Sequence, residues 1–227
     1  MSVSGVGFQV HESPEALAEV VASRVLAAAQ RAIAARGRFT LVLAGGGTPL
    51  RVYERLATSP ADWSRWHLFH GDERCLPPED RQRNSRAIAA CWLDRIALPP
   101  GQHHPIPAEL GAEEAAHRYA ALIAPLLPFD LVLLGMGEDG HTASLFPGHA
   151  LAQTGLTMAV HEAPKPPPDR VTLTPAALSA TREALVLVTG AGKREALARW
   201  RAGDGLPVAS VAAAAGAEVL VDAAAWG

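Results

Sequence analysis

Three short apolar runs mark the chain, at residues 39–44, 131–134 and 184–188. Each is bounded by turn residues and rich in Leu and Val, which suits strands buried on both faces of a sheet. A mixed run at 66–69 and brief ones at 157–160 and 219–221 add further strand candidates. Arg170-Val171-Thr172-Leu173-Thr174 alternates and predicts a half-exposed strand. Between these runs the period changes to that of a helix. Leu17, Val21, Val25, Ala28 and Ala32 form one stripe, with Ser13 as N-cap, Pro14 at the first helical position and Gly37 as terminator. Residues 49–56 read likewise, with Leu50, Tyr53 and Leu56 inward and Thr48 as cap. Residues 84–96 and 113–127 give two more helices, and Pro175 opens a short one. Strands alternating with helices predict an α/β fold: a doubly wound, mostly parallel sheet with helices on both faces. No repeat or linker divides the chain, so residues 1–227 are expected to form one domain.

Composition changes the picture in three ways. The net charge of −3 gives no reason to expect nucleic acid or an anionic membrane surface as a partner. Charges cut the apolar stretches before they reach membrane-spanning length, and MSVSGVGFQVHES lacks the basic-then-apolar order of a signal peptide. Cys75 and Cys91 support no disulfide framework, so a cytoplasmic setting is expected. Lysine occurs only at positions 165 and 193 and asparagine only at 84, in a chain where arginine is plentiful. Such isolated residues draw attention.

Four loops carry the candidate chemistry. Gly45-Gly46-Gly47-Thr48-Pro49 follows the first apolar run and precedes a helix, an arrangement that offers free N–H groups and a positive dipole end to an anion. It is not a Walker A loop, since no G-x-x-x-x-G-K-[ST] is present. Gly71-Asp72-Glu73-Arg74 places a rigid donor fork beside two acids, suited to carboxylate, phosphate or a developing oxyanion. Cys75, next to Arg74, is a candidate for a lowered thiol pKa, although no histidine is placed by sequence to activate it. Gly190-Ala191-Gly192-Lys193 is a second glycine turn before a helix. The fourth loop, residues 135–141, carries Glu138, Asp139 and His141, an acid and a histidine spaced for proton transfer. Its Gly135, Gly137 and Gly140 match the dinucleotide fingerprint, but Pro147 comes too soon for the long helix that fingerprint opens, and two acids would repel a pyrophosphate. No nucleotide cofactor is therefore expected. His67 and His70, three apart on a strand, face opposite sides and do not suit a shared metal. His103-His104 lies in a proline-rich stretch read as a surface connection. Residues 162–169, with four prolines, are read as an extended loop at a rim. In a parallel sheet the four loops open at the same carboxyl edge, where ligands bind. Together they predict a site for a small, phosphorylated, polyhydroxy substrate.

The segments AGGGTP, GDER, GMGEDGHTASLFPG, RVTLT and GAGK resemble those of 6-phosphogluconolactonases. The resemblance runs from the second strand through Lys193. It implies hydrolysis of 6-phospho-D-glucono-1,5-lactone, a step of the oxidative pentose phosphate pathway, with a phosphorylated sugar lactone as the small-molecule partner and with no cofactor or metal. It also implies roles. Gly46, Gly47, Thr48, Arg170 and Lys193 would hold the phosphate, with Asp72 also in the binding set. His141 would be the general base, Asp139 would orient it or contact hydroxyls, and Arg74 would stabilise the oxyanion. The fold is shared with glucosamine-6-phosphate deaminases. Those usually carry an aromatic residue at the position of Arg74 and an Asn-Glu pair where this chain has Leu145-Phe146-Pro147. A non-catalytic sugar-phosphate sensor is the remaining alternative, and the chain has no basic recognition helix to serve one.

Overall fold

The computed structural model describes residues 6–150 and 154–227; residues 1–5, within the stretch where no leader was expected, lie outside the described part. The elements run β1 (Phe8–His11), α1 (Pro14–Arg36), β2 (Phe39–Leu43), α2 (Gly47–Leu56), β3 (Trp66–His70), β4 (Asp72–Arg74), α3 (Asn84–Cys91), β5 (His103–His104), α4 (Ala112–Ile123) and β6 (Leu131–Gly135). They continue with β7 (Thr157–Val160), β8 (Arg170–Leu173), α5 (Pro175–Ser179), β9 (Ala184–Val188), α6 (Arg194–Ala202), α7 (Pro207–Ala215), β10 (Glu218–Asp222) and α8 (Ala223–Trp226).

Seven strands form one sheet in the order β1-β10-β9-β6-β2-β3-β5, and every pair in it is parallel. The three unbroken apolar runs became its central strands β2, β6 and β9, because only a strand covered on both faces can bury every side chain. Successive residues alternate between two cores. Leu131, Leu133, Leu185 and Leu187 face α1, α2 and α3, whereas Val132, Leu134, Val186 and Val188 face α4 to α8. The sheet is thus covered by helices on both sides. Helix α1 forms as its caps require: the Ser13 hydroxyl accepts from the Ala16 N–H at 3.1 Å, and Gly37 closes the last turn.

From β2 the chain winds to β3 and β5, returns to β6 beside β2, and then winds the other way to β9 and β10. The direction reverses between β2 and β6, so the crevice at their carboxyl ends is the topological switch point.

Several expectations need correction. Strand β8 is buried throughout, not half-exposed. It belongs with β4 and β7 to a second, antiparallel sheet that lies past the end of β3, in which Asp72 opposes Thr172 and Arg74 opposes Arg170. Val171 and Leu173 join the core on the α4 side, which a surface hairpin would not do. The helix read over 84–96 ends at Cys91 and tightens into a 3₁₀ turn at Leu93–Arg95. His103-His104 is an edge strand beside β3, not a surface connection. The His103 Nε2 meets the His70 Nε2 at 2.8 Å, and His104 stacks on Phe69 and meets His67 at 3.3 Å. Burial pushes both His70 and His103 down to about 3, so this pair stays neutral. Strand β1 and helices α7 and α8 were not read from the sequence at all. Among the described residues no helix is long and apolar enough to cross a membrane.

Candidate active site

At the switch point lies an open cavity of about 760 Å³. Gly46, Gly47, Thr48, Asp72, Arg74, His141, Arg170 and Lys193 all line it, and Asp139 is bonded to His141. The four loops expected at one edge do meet there. The reason is the parallel sheet, which puts the carboxyl ends of β2, β3, β6 and β9 side by side.

The wall above β2 is the start of α2. Its N-cap is Gly46 and no side chain caps it, so the N–H groups of the first turn have no intrahelical acceptor and the positive dipole end faces the cavity. Thr48 was expected as the cap. It lies instead inside the first turn, where its hydroxyl bonds the Thr189 hydroxyl at 2.6 Å and ties α2 to the end of β9. Gly45 is required here by close approach: a Cβ on it would stand 2.1 Å from the Asn84 Oδ1.

The wall above β6 holds the acid–histidine pair. His141 Nδ1 and Asp139 Oδ1 are 2.5 Å apart, and the same oxygen accepts the His141 backbone N–H at 3.2 Å. The turn closes on itself through the Gly137 N–H, which donates to the His141 carbonyl at 2.8 Å. A Cβ on Gly137 would lie 2.0 Å from His141 Nδ1, so only glycine allows the ring to fold back over this turn. Burial lowers the His141 pKa more than the Asp139 carboxylate raises it. Burial acts on Asp139 in the opposite sense, but the His141 charge and the two hydrogen bonds together hold that carboxyl below its ordinary value. The pair is therefore a neutral imidazole donating from Nδ1 to a carboxylate, with Nε2 left as a base.

Strand β4 supplies the third wall. Asp72 is buried, and it accepts the Ser144 hydroxyl at 2.6 Å and the Asn84 amide at 3.1 Å. Burial raises its carboxyl above the ordinary value, against the Ser144 bond. Glu73 points away and caps α3, accepting the N–H groups of Asn84 at 2.7 Å and Ser85 at 2.8 Å. Arg74 donates to the Gln82 carbonyl, while its buried Nε–H has no partner among the described residues. The adjacent Cys75 thiol is pushed up to about 11, mainly by burial, the reverse of a lowered value beside an arginine.

On the last side, Lys193 sits at the end of the 3₁₀ turn Ala191–Lys193, its ammonium lowered by burial and supported by nearby Glu138. The Arg170 guanidinium lies 5.5 Å from the centre of the Phe146 ring and donates to three carbonyls, those of Lys165, Pro166 and Pro167. Lys165 itself lines the cavity, as do Asn84 and Glu138. Sequence reasoning left Lys165 and Asn84 out of the site, although their rarity in the chain was the available signal.

A model of the glucosamine-6-phosphate isomerases/6-phosphogluconolactonase family matches residues 12–221. The chain belongs to that family. It is 39% identical over 222 residues to a protein of Mycobacterium leprae named 6-phosphogluconolactonase, covering 91% of this chain and 89% of the relative. A solved 6-phosphogluconolactonase from Thermotoga maritima superposes with a TM-score of 0.87 at 31% identity, over 96% of this chain and 99% of the other. A monomeric glucosamine-6-phosphate deaminase superposes with a TM-score of 0.85 at 21% identity, over 97% and 98%, which speaks for the fold alone. The family's two halves share a scaffold, so the choice between them rests on the side chains of the cavity.

Proposed function

We propose that this chain hydrolyses 6-phospho-D-glucono-1,5-lactone to 6-phospho-D-gluconate, in the oxidative pentose phosphate pathway. The observation that carries this reading is the His141–Asp139 pair, whose free Nε2 belongs to a residue lining the same cavity as Arg74 and the uncapped start of α2. The substrate phosphate takes the N–H groups at Gly46, Gly47 and Thr48, with Lys193 and the charge of Arg170 beside it. That leaves the lactone ring toward β4 and β6.

His141 Nε2 removes a proton from water as its oxygen attacks the lactone carbonyl. Negative charge then develops on the carbonyl oxygen, and the guanidinium of Arg74, which lines the cavity, meets it there. Asp139 holds the Nδ1 proton and stabilises the imidazolium that forms. The intermediate collapses, the bond from the carbonyl carbon to the ring oxygen breaks, and His141 returns its proton to that oxygen. Lactone and water thus become a carboxylic acid and a free hydroxyl, and the acid ionises near neutrality. Asp72 lies where substrate hydroxyls would pass. An activated lactone needs no further electrophile, so we assign no cofactor or metal. The chain acts as one domain, residues 1–227, on a small soluble substrate in the cytoplasm.

The deaminase reading is disfavoured by one feature of the site. The segment after His141 carries Leu145 and Phe146, both buried, and offers no carboxylate there.

The test is lactone decay. Lactone generated in place from glucose 6-phosphate and a dehydrogenase should vanish faster with the protein than in its absence. His141→Ala should cut turnover by about two to four orders of magnitude. Decay at the background rate, or ammonia release from glucosamine 6-phosphate, would overturn the proposal.

A further inference from the structure

We infer that Lys165 is a substrate-binding residue of this site, the second ammonium of the phosphate pocket, and that Arg170 acts chiefly as the strap that holds it over the cavity. This rests on the reading of the cavity as a sugar-phosphate site.

Geometry supports the strap. Arg170 is buried, and its guanidinium donates through Nε to the Pro167 carbonyl at 3.1 Å and through one terminal nitrogen to the carbonyls of Lys165 at 2.8 Å and Pro166 at 3.3 Å. Three successive carbonyls of one loop are thus gathered on one planar fork, a task its fixed donor geometry suits and an ammonium's does not. The second face of the fork lies near Phe146. A guanidinium engaged in this way has few donors left for a ligand.

What the strap holds is Lys165. This residue lines the cavity together with Lys193, Thr48 and the glycines of the α2 start. Among the described residues its ammonium has no ion-pair partner, whereas Arg24, Arg31, Arg36, Arg51, Arg118 and Arg199 are all paired with carboxylates. Its charge reaches both Lys193 and His141, since it lowers each of them. Lys165 and Lys193 line the cavity with the uncapped start of α2, and Glu138 stands beside Lys193. Lys165 is thus the ammonium there without an ion-pair partner among the described residues, and it is open to a ligand anion.

Residue choice points the same way. The chain holds 20 basic residues, of which only positions 165 and 193 are lysine, and both line this one cavity. Lysine meets a phosphate held by backbone N–H groups as a compact point charge with rotatable donors.

The experiment measures kcat and KM of the full chain for the phosphorylated lactone and for unphosphorylated glucono-1,5-lactone. Lys165→Ala should raise KM for the phosphorylated substrate about tenfold to a hundredfold, the share of a charged hydrogen bond, and leave kcat within about threefold. KM for the unphosphorylated lactone, which has no phosphate to lose, should change far less than KM for the phosphorylated one. Arg170→Lys keeps the charge but loses the strap, so it should raise KM similarly. The double variant should then be little worse than either single one, because both remove the same contact. Unchanged KM in Lys165→Ala, with wild-type turnover intact, overturns the inference while leaving the lactonase reading standing. Multiplicative losses in the double variant overturn the strap. Should the wild-type protein prove inactive on lactone, titration with inorganic phosphate still decides: weaker binding in Lys165→Ala supports the inference and equal binding overturns it.

Discussion

Replacing Asp139 with Asn separates the base from its support. Asp139 accepts two hydrogen bonds from His141, one from the ring and one from the backbone, and only the ring bond changes character during the reaction. In the transition state the imidazole becomes a cation, and the carboxylate then makes a charge-assisted bond that an amide cannot match. Such bonds contribute about 1.5–3 kcal/mol. Asp139 is 34% exposed, so solvent screens the pair and the lower part of that range applies, about 1.5–2 kcal/mol. That corresponds to a kcat lower by about 10- to 30-fold. The pH profile supplies a second reading. His141 works as a base only when neutral, so kcat/KM is present above its pKa and lost as pH falls through it. Burial places that inflection below the ordinary histidine value, and Asp139 is the main group raising it. Asp139→Asn should therefore move the inflection to lower pH while the plateau falls. The assay is background-corrected lactone decay across pH 5 to 8. A plateau within about twofold of wild type, or an inflection displaced upward, would refute the reasoning.

Two other predictions test the scaffold of the site. Gly137→Ala drives a Cβ to within 2.0 Å of His141 Nδ1, and the displaced ring should lower kcat by about a hundredfold with little change in melting temperature; a variant as active as wild type would show that the turn has slack. Glu73→Ala uncaps α3 and leaves buried Arg83, whose Nε lies 3.5 Å from the Glu73 carboxylate, without that partner, at a cost of about 3–5 kcal/mol in denaturant unfolding. A loss under about 1 kcal/mol would mean that Glu109, also bonded to Arg83, carries the charge alone.

Much of the molecule was determined by the sequence alone. The runs at 39–44, 131–134 and 184–188 could bury their side chains only as central parallel strands, and the α1 caps at Ser13 and Gly37 set both its ends. Because parallel strands end at one edge, reading the strands was enough to gather Gly46, Arg74, His141 and Lys193 around one cavity. Tertiary structure decided what depends on partners far along the chain. Asp72-Glu73-Arg74 is too short and too polar to read as a strand, and it becomes one only because β8 lies beside it. Likewise His103-His104 forms an edge strand because β3 offers free backbone groups, and the burial that follows keeps His103 neutral. The start of α2 falls at Gly46 rather than at Thr48, and the Thr48 hydroxyl instead meets Thr189, more than a hundred positions away. Lys165 entered the site by the same route. No local pattern marks a lysine among prolines as a cavity residue, and the Arg170 side chain, folded back onto the carbonyls of residues 165–167, helps set that loop against the cavity. Local periodicity follows from burial along one segment, whereas these placements follow from hydrogen bonds between segments, whose geometry exists only once the chain has folded.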